Sequence, residues 1–255
     1  MKVVAFFAAI LLLVNCGRAD MVLFNSGGFE LYGLGALSGQ NGWTNDVAAS
    51  YQVQDGIGAG GSRGVTVTGG AGTDWAYPSL NYTPGVGIGE IIRIEADISR
   101  TVGGTPSFGY AIDVYSSTTQ RILRFGLINS GGSIFPFVTS TTGNTSAIVG
   151  SSVAANTFVS FRTDLNFDTK TAEVFINGTS VSGSSSFAFI NAATTIGDAD
   201  FQVSTNVAAL DSGVLDNYKV SSIVAVPEPT SLLLSIISLV GAIYCRSRRS
   251  KKIEA

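Results

Sequence analysis

From Ile92 to Ile98 apolar and charged residues alternate: Ile92, Ile94, Ala96 and Ile98 fall on one side, Arg93, Glu95 and Asp97 on the other. A period of two is that of a β-strand with one face in a core and the other in water. Comparable runs predict strands over Arg63–Val67, Ile91–Ser99, Phe108–Tyr115, Ile122–Ile128, Phe158–Asn166, Thr171–Ile176, Asp200–Ser204 and Leu215–Val220. Clusters of Gly, Ser, Asn and Thr separate them, and no window carries an apolar face of helical period over a useful length. Many short strands with turn signals between them predict an all-β antiparallel sandwich or barrel. Turn chemistry at Asp168-Thr169-Lys170-Thr171 joins two strands as a hairpin, and Asn177-Gly178 closes a second tight turn. Stretches 55–62, 101–107 and 139–152 are Gly- and Ser-rich without being long linkers, so a single sandwich domain is expected over 20–222.

The pattern breaks at both ends. After Lys2 an almost unbroken apolar run covers Val3–Val14, and Gly17-Arg18-Ala19 offers small residues for cleavage. This predicts a secretory signal peptide over 1–19, cut after Ala19. The competing reading is a lipoprotein signal with lipid on Cys16, for which Asn15 is a poor preceding residue. At the other end, Thr230–Cys245 is uncharged over sixteen residues. As a helix that stretch spans about 24 Å, slightly short of a hydrocarbon core of about 30 Å. Arg246, Arg248, Arg249, Lys251 and Lys252 follow at once. Such a basic cluster stays on the cytoplasmic side, which leaves the body outside.

Val226-Pro227-Glu228-Pro229 stands directly before this stretch as an extended segment. The order of Pro-Glu-Pro, short apolar helix and basic terminus, over 223–255, resembles a PEP-CTERM sorting signal. That resemblance implies recognition by an exosortase, a membrane cysteine protease, after export by the secretion machinery. It also implies transient membrane anchoring and a final location at the cell surface or in the extracellular matrix. The other reading is a permanent single-pass anchor in which Val226–Pro229 is a linker.

Charge and missing residue types narrow the chemistry. Between Asp20 and Val226 there are 8 basic and 16 acidic residues, a balance of −8, within a chain of 255 residues whose net charge is −3. An acidic body without a basic stripe excludes nucleic acid as a partner. The chain has no histidine, and its two cysteines, Cys16 and Cys245, lie in the terminal segments. Histidine-based triads, zinc sites and thiol chemistry are thereby removed, and catalysis would have to rest on carboxylates. About 200 residues bury a sufficient core without disulfides.

Three segments carry a further resemblance. These are FRTDLNFDTKTAEVFINGT from Phe161, the opening Phe29-Glu30-Leu31-Tyr32 through Gly39-Gln40-Asn41-Gly42-Trp43, and the closing Leu215-Asp216-Asn217-Tyr218-Lys219-Val220. Together they resemble concanavalin-like, laminin-G-type jelly rolls, with start and finish in one domain. The whole chain is then expected to be an all-β jelly roll flanked by a signal helix and a C-terminal transmembrane helix. The fold includes glucanases with a Glu-x-Asp-x-x-Glu strand, to which Glu95-Ala96-Asp97 is the nearest match; Arg100 stands where the third acid belongs. Calcium is a further implication of the resemblance, with Asp198 and Asp200 as candidates beside Asn206 and Asp211, although no loop motif fixes the spacing.

For sugars, exposed aromatics with nearby carboxylates and amides are the usual tools. Trp75 and Tyr77, with Asp74 as polar partner, are the candidate glycan-binding residues. Trp43 is expected in the core, while Tyr82, Asp46 and Asn81 complete the set. The sequons at Asn81, Asn144 and Asn177 are read as chance products of composition. The expected function is that of a noncatalytic, exported surface or matrix protein that binds extracellular polysaccharide. The alternatives are a structural or adhesive protein without a specific ligand, and a divergent glycosidase. No catalytic residue and no cofactor is assigned.

Overall fold

Alternation of the predicted kind runs along most strands of the computed structural model, which describes residues 20–45, 50–68, 74–101, 107–140, 146–183, 186–203 and 211–224. The signal segment, the Val226–Pro229 motif, the apolar stretch and the basic cluster lie outside the described residues, as do Asp46, Asn144 and Asn206. Asp20–Ile223 makes one unit. Among the described residues no helix is long and apolar enough to cross a membrane.

The strands are β1 (Asp20–Asn25), β2 (Gly35–Ala36), β3 (Trp43–Asn45), β4 (Tyr51–Gln54), β5 (Gly64–Thr68) and β6 (Asp74–Pro78). They continue with β7 (Ile91–Arg100), β8 (Ser107–Tyr115), β9 (Arg121–Ser130), β10 (Ser133–Thr139), β11 (Ser146–Ile148) and β12 (Val159–Asn166). β13 (Thr171–Ile176), β14 (Thr179–Ser180), β15 (Phe187–Ala188), β16 (Asp198–Val203) and β17 (Ser212–Ile223) complete the set. One sheet runs β14-β13-β12-β7-β17-β5-β4-β2, with β1 also on β17 and β15 on β13. The other runs β11-β10-β9-β8-β16-β6-β3. Every pairing within the sheets is antiparallel.

The core lies between the two sheets. Ile92, Ile94, Ala96 and Ile98 of β7 point into it beside Val159, Phe161 and Leu165 of β12, and face Phe201, Ile112, Val114, Leu123 and Phe125 of the second sheet. Each of these side chains larger than alanine contributes about 1.5–3 kcal/mol by leaving water. Tyrosines tie the sheets together at their hydroxyls: Tyr218 donates to Ala199 O at 2.8 Å, and Tyr51 lies 2.7 Å from Asp74 O and 2.9 Å from Phe201 O. Pairing the buried hydroxyls with carbonyls removes the cost of taking them out of water.

The opening and closing motifs meet in space. Trp43 packs against Phe24, Phe29 and Tyr218 at ring-centroid distances of 5.6, 5.9 and 5.3 Å, so its role is that of a core residue, as expected. Gln40 holds the loop before it, accepting from Gly33 N at 2.7 Å and donating to Ala36 O at 2.7 Å. At Asp216–Asn217 a bulge interrupts β17. On one side of the bulge Gly213–Leu215 pairs with β5, and on the other Lys219–Ile223 pairs with β1, so the bulge is where the strand changes partners. Asp216 Oδ2 accepts from Ala59 N at 2.8 Å and from Ser62 Oγ at 2.7 Å, pinning the 55–63 loop to it.

The hairpin β12–β13 forms as predicted, one residue earlier than the turn residues suggested: Asn166 pairs with Thr171, and Asn166 Oδ1 accepts from Asp168 N and Thr169 N. Asn177 and Gly178, with φ of 49° and 80°, make the tight turn into β14, a geometry that favours this pair of residues. Several short strands were not evident in the sequence. β6 is the consequential one, because it makes a strand of Asp74–Pro78, the segment that carries Trp75 and Tyr77.

Candidate functional site

Parity along three strands of the second sheet, β8, β16 and β6, decides what its outer face presents. Tyr110, Ile112 and Val114 of β8 and Ala199, Phe201 and Val203 of β16 enter the core. Asp113, Tyr115, Asp198, Asp200 and Gln202 therefore point the other way. On β6 the same rule sends Trp75 and Tyr77 outward with them, while Asp74 and Ala76 turn inward. Register then aligns these side chains in rows. Trp75 pairs with Gln202; Asp200 pairs with Asp113, which pairs with Arg124; Asp198 pairs with Tyr115, which pairs with Arg121.

The result is a cleft of about 290 Å³ lined by Trp75, Tyr77, Tyr115, Thr119, Asp198 and Asp200. Two groups of sequence candidates thus converge: the sugar-binding aromatics and the calcium-candidate acids share one cleft. Asp74, the polar partner expected for Trp75, does not line it; its side chain is buried on the inward face, near the Tyr51 hydroxyl. Asn81 and Tyr82 do not line it either, and Tyr82 instead donates to Glu90 Oε1 at 2.7 Å. Asp211 is engaged elsewhere, with Arg100. Among the described residues no three His, Cys, Asp or Glu side chains gather as a metal site requires.

Beside the cleft lies a charge cluster that sequence reasoning missed. Asp113 is fully buried and takes Arg121 Nη2 at 3.1 Å and Arg124 Nε at 3.2 Å. Arg121 Nη2 also donates to the Tyr115 hydroxyl at 3.0 Å, and Arg124 Nη2 to Gln202 Oε1 at 2.6 Å. Both arginines are thus drawn toward Asp113. The alternation of Asp113, Val114 and Tyr115 was readable as a strand with a polar face, but nothing local pointed to Arg124 as its cross-strand neighbour.

Electrostatics within the cleft are dominated by burial. Asp200, 7% exposed, is pushed up to about 9 by burial first, then by the Asp198 charge, the hydrogen bond with Asp198 and the Asp113 charge. Asp198 is also raised, by burial first, and its hydrogen bond with Asp200 works in the opposite direction. The two carboxyls therefore share one proton at neutral pH, with Asp200 as its holder. Tyr115 is raised by burial and by the Asp113 charge, so it remains a neutral phenol.

The glucanase-like acids sit on the opposite side of the sandwich. Glu95 and Asp97 line a separate cleft of about 330 Å³ on the outer face of the first sheet, beside Asn25, Gly28, Asn217 and Lys219. Asp97 accepts from Asn217 Nδ2 at 2.8 Å, and Glu95 lies 3.7 Å from Lys219 Nζ, both partners being more than a third exposed. These are the contacts of a solvated strand face.

No family model and no curated protein matches the chain. Solved structures with a similar fold include a sialidase, at TM-score 0.55 and 12% identity, over 78% of this chain and 18% of that one. The chain thus spans under a fifth of the sialidase. The cellulose-induced protein Cip1 aligns at TM-score 0.51 and 13% identity, over 72% of this chain and 92% of its own. The alginate lyase AlyC3 aligns at 0.50 and 7%, over 70% and 80%. At such identities the likeness is one of fold: an antiparallel jelly-roll-like sandwich.

Proposed function

We propose that this is an exported, noncatalytic surface or matrix protein whose sandwich binds polysaccharide on the outer face of the second sheet. The observation that carries the reading is the convergence of Trp75, Tyr77 and Tyr115 with two carboxyls on one open cleft. Ring faces cover the apolar faces of a pyranose, and carboxyls bond its hydroxyls. The fold-level neighbours named for saccharide chemistry, a sialidase and an alginate lyase, are compatible with it. Two features favour binding over glycoside hydrolysis. Asp198 and Asp200 are hydrogen-bonded to each other, whereas hydrolysis requires carboxyls about 5–9.5 Å apart. Asp113, the next acid, has no exposed surface and is held by two arginines.

A glycan array probed with the purified chain tests this. Saturable binding to a polysaccharide is expected, weakened about 10-fold or more by Trp75→Ala, the cost of removing an aromatic anchor. A folded chain that binds no glycan, or a Trp75→Ala form that binds equally well, would leave a purely structural role in its place.

The tail reading rests on sequence: Val226-Pro227-Glu228-Pro229, the uncharged stretch and the basic cluster of Arg246, Arg248, Arg249, Lys251 and Lys252 in that order. We read it as a PEP-CTERM-type address that anchors the chain transiently until an exosortase removes it. The intact mass of the native protein is then expected to end near Pro229. A mass that includes Lys252 would establish a permanent anchor.

A further inference from the structure

We propose that the cleft of Trp75, Tyr77, Tyr115, Thr119, Asp198 and Asp200 takes a cationic amine, so that the polysaccharide unit it selects is an amino sugar with a free amino group. The inference rests on the glycan reading above and narrows it to one ligand class.

The lining contains three aromatic side chains, two carboxyls and the Thr119 hydroxyl, and no cationic side chain. Arg121 and Arg124, the cations of the same sheet face, are drawn to Asp113 instead. Asp200 is more than nine-tenths buried, and apart from the hydrogen bond that joins it to Asp198, Oδ1 of each carboxyl has no hydrogen-bond partner. Arg121, the nearest cation, lowers the Asp200 value only as the last of its causes and is bonded to Asp113 and Tyr115, so the pair meets the cost of burial by holding a proton between its members. A ligand ammonium supplies what is missing. It brings a positive charge and three N–H donors to the carboxyls that line the cleft. The shared proton leaves to solvent as the ammonium enters, so the net charge of the site is unchanged.

The walls select the kind of cation. Aromatic faces attract an organic ammonium through their quadrupoles. Calcium seeks six to eight oxygens, which rings do not provide. A uronate or sulfated unit would place its anion against Asp198 and Asp200 and be repelled. A neutral N-acetylated unit would stack equally well but leave the carboxyl pair uncompensated.

The full-length chain in mild detergent, titrated by calorimetry with a tetramer of β-linked glucosamine and with the same tetramer fully N-acetylated, tests the inference. The two probes differ in charge and in the acetyl groups while sharing ring and linkage. Binding of the amine form about 10-fold or more tighter is expected, with the preference abolished by Asp200→Asn and both affinities reduced by Trp75→Ala. Equal binding, or preference for the acetylated form or for a uronate oligomer, overturns the amine inference while leaving a glycan-binding protein. Binding of tetramethylammonium without either tetramer would keep the cation site and overturn the sugar. A folded chain that binds none of these, or one that binds only in the presence of calcium, overturns the inference. Thermal melts of each variant establish that the folded protein is being measured.

Discussion

Replacing Asp211 by Ala lowers the stability of the fold by about 3–5 kcal/mol, the usual cost of stranding a buried charge. Arg100, at the end of β7, is 1% exposed, and Asp211, directly before β17, is fully buried. Arg100 Nε donates to Asp211 Oδ2 at 2.9 Å, Nη2 donates to the same oxygen, and Thr101 Oγ1 donates to Oδ1 at 3.1 Å. The guanidinium lies 5.5 Å from the Tyr110 ring centroid, and the Tyr110 hydroxyl donates to Asp211 O at 2.8 Å. One ion pair thus links two neighbouring strands of the first sheet to β8 of the second. Room for the guanidinium depends on Gly109, where a Cβ would collide with the Leu127 carbonyl and approach Arg100 Nη1. Without the carboxylate, Arg100 keeps its charge in the core with no other carboxylate in ion-pair contact among the described residues. The measurement is urea denaturation of the parent and of Asp211→Ala. The double variant Arg100→Met, Asp211→Leu is expected to recover most of the loss, since apolar replacement of both members removes the stranded charge. A single variant within about 1 kcal/mol of the parent would show that Arg100 reaches water.

Asp200→Asn is expected to act in the opposite direction, raising stability by about 2 kcal/mol at pH 8 and flattening the pH dependence on the alkaline side. In the folded chain Asp200 holds a proton up to about 9, whereas the unfolded chain has lost it above its ordinary value of 3.8. Folding at neutral pH therefore takes up a proton, and stability falls as pH rises from about 4 to about 9. The groups facing the pair act on the same balance: Asp113 and Asp198 raise the Asp200 value, Arg121 lowers it, and Tyr115 and the buried Tyr218 feel its charge. Asparagine keeps the shape, donates an N–H to Asp198 and needs no proton. Glu90 shapes the acid side: burial raises it, but bonds from Ser222, Tyr82 and Gly85 outweigh this and lower it. Its contribution is present above its ordinary value of 4.5 and is lost as pH falls through its lowered one, so the acid limb is expected to be common to both proteins. Melting temperatures from pH 4 to pH 9 check this, with a gain of roughly 4–8 °C expected at pH 8 for a chain of this size. Parallel profiles for the two proteins would mean that Asp200 is already ionised in the fold.

Particular residues show why one part of the site was legible and another was not. Trp75 and Tyr77 could be named from sequence because two aromatics in a Gly-rich polar context have few roles other than packing or stacking. Asp74 joins them in the sequence only by adjacency. Once 74–78 is a strand, a neighbour one residue away is on the opposite face, and Asp74 goes inward. Asp198 and Asp200 were legible as a pair two residues apart, hence on one face, but their joint cleft with Trp75 was not. The Glu95 and Asp97 face was anticipated as a solvated strand, because Arg93, Glu95 and Asp97 share the period of the apolar residues they alternate with.

By itself the sequence determined the quantities that are local or compositional. Period-two alternation set the all-β class and the inward faces of β7 and β12. Turn residues set the β12–β13 hairpin and the turn at Asn177-Gly178. The absence of histidine and of cysteine between Asp20 and Val226 removed whole classes of chemistry. Tertiary structure alone decided which strands are neighbours. Gln202 of β16 pairs with Trp75 of β6 and with Ala111 of β8, although long stretches of chain separate them. Alternation says which side a residue faces and nothing about which strand will lie beside it, because any strand can satisfy another's backbone hydrogen bonds. Packing of the two inner faces selects one strand order, and that order brings three aromatic rings and a proton-sharing carboxyl pair to the same cleft.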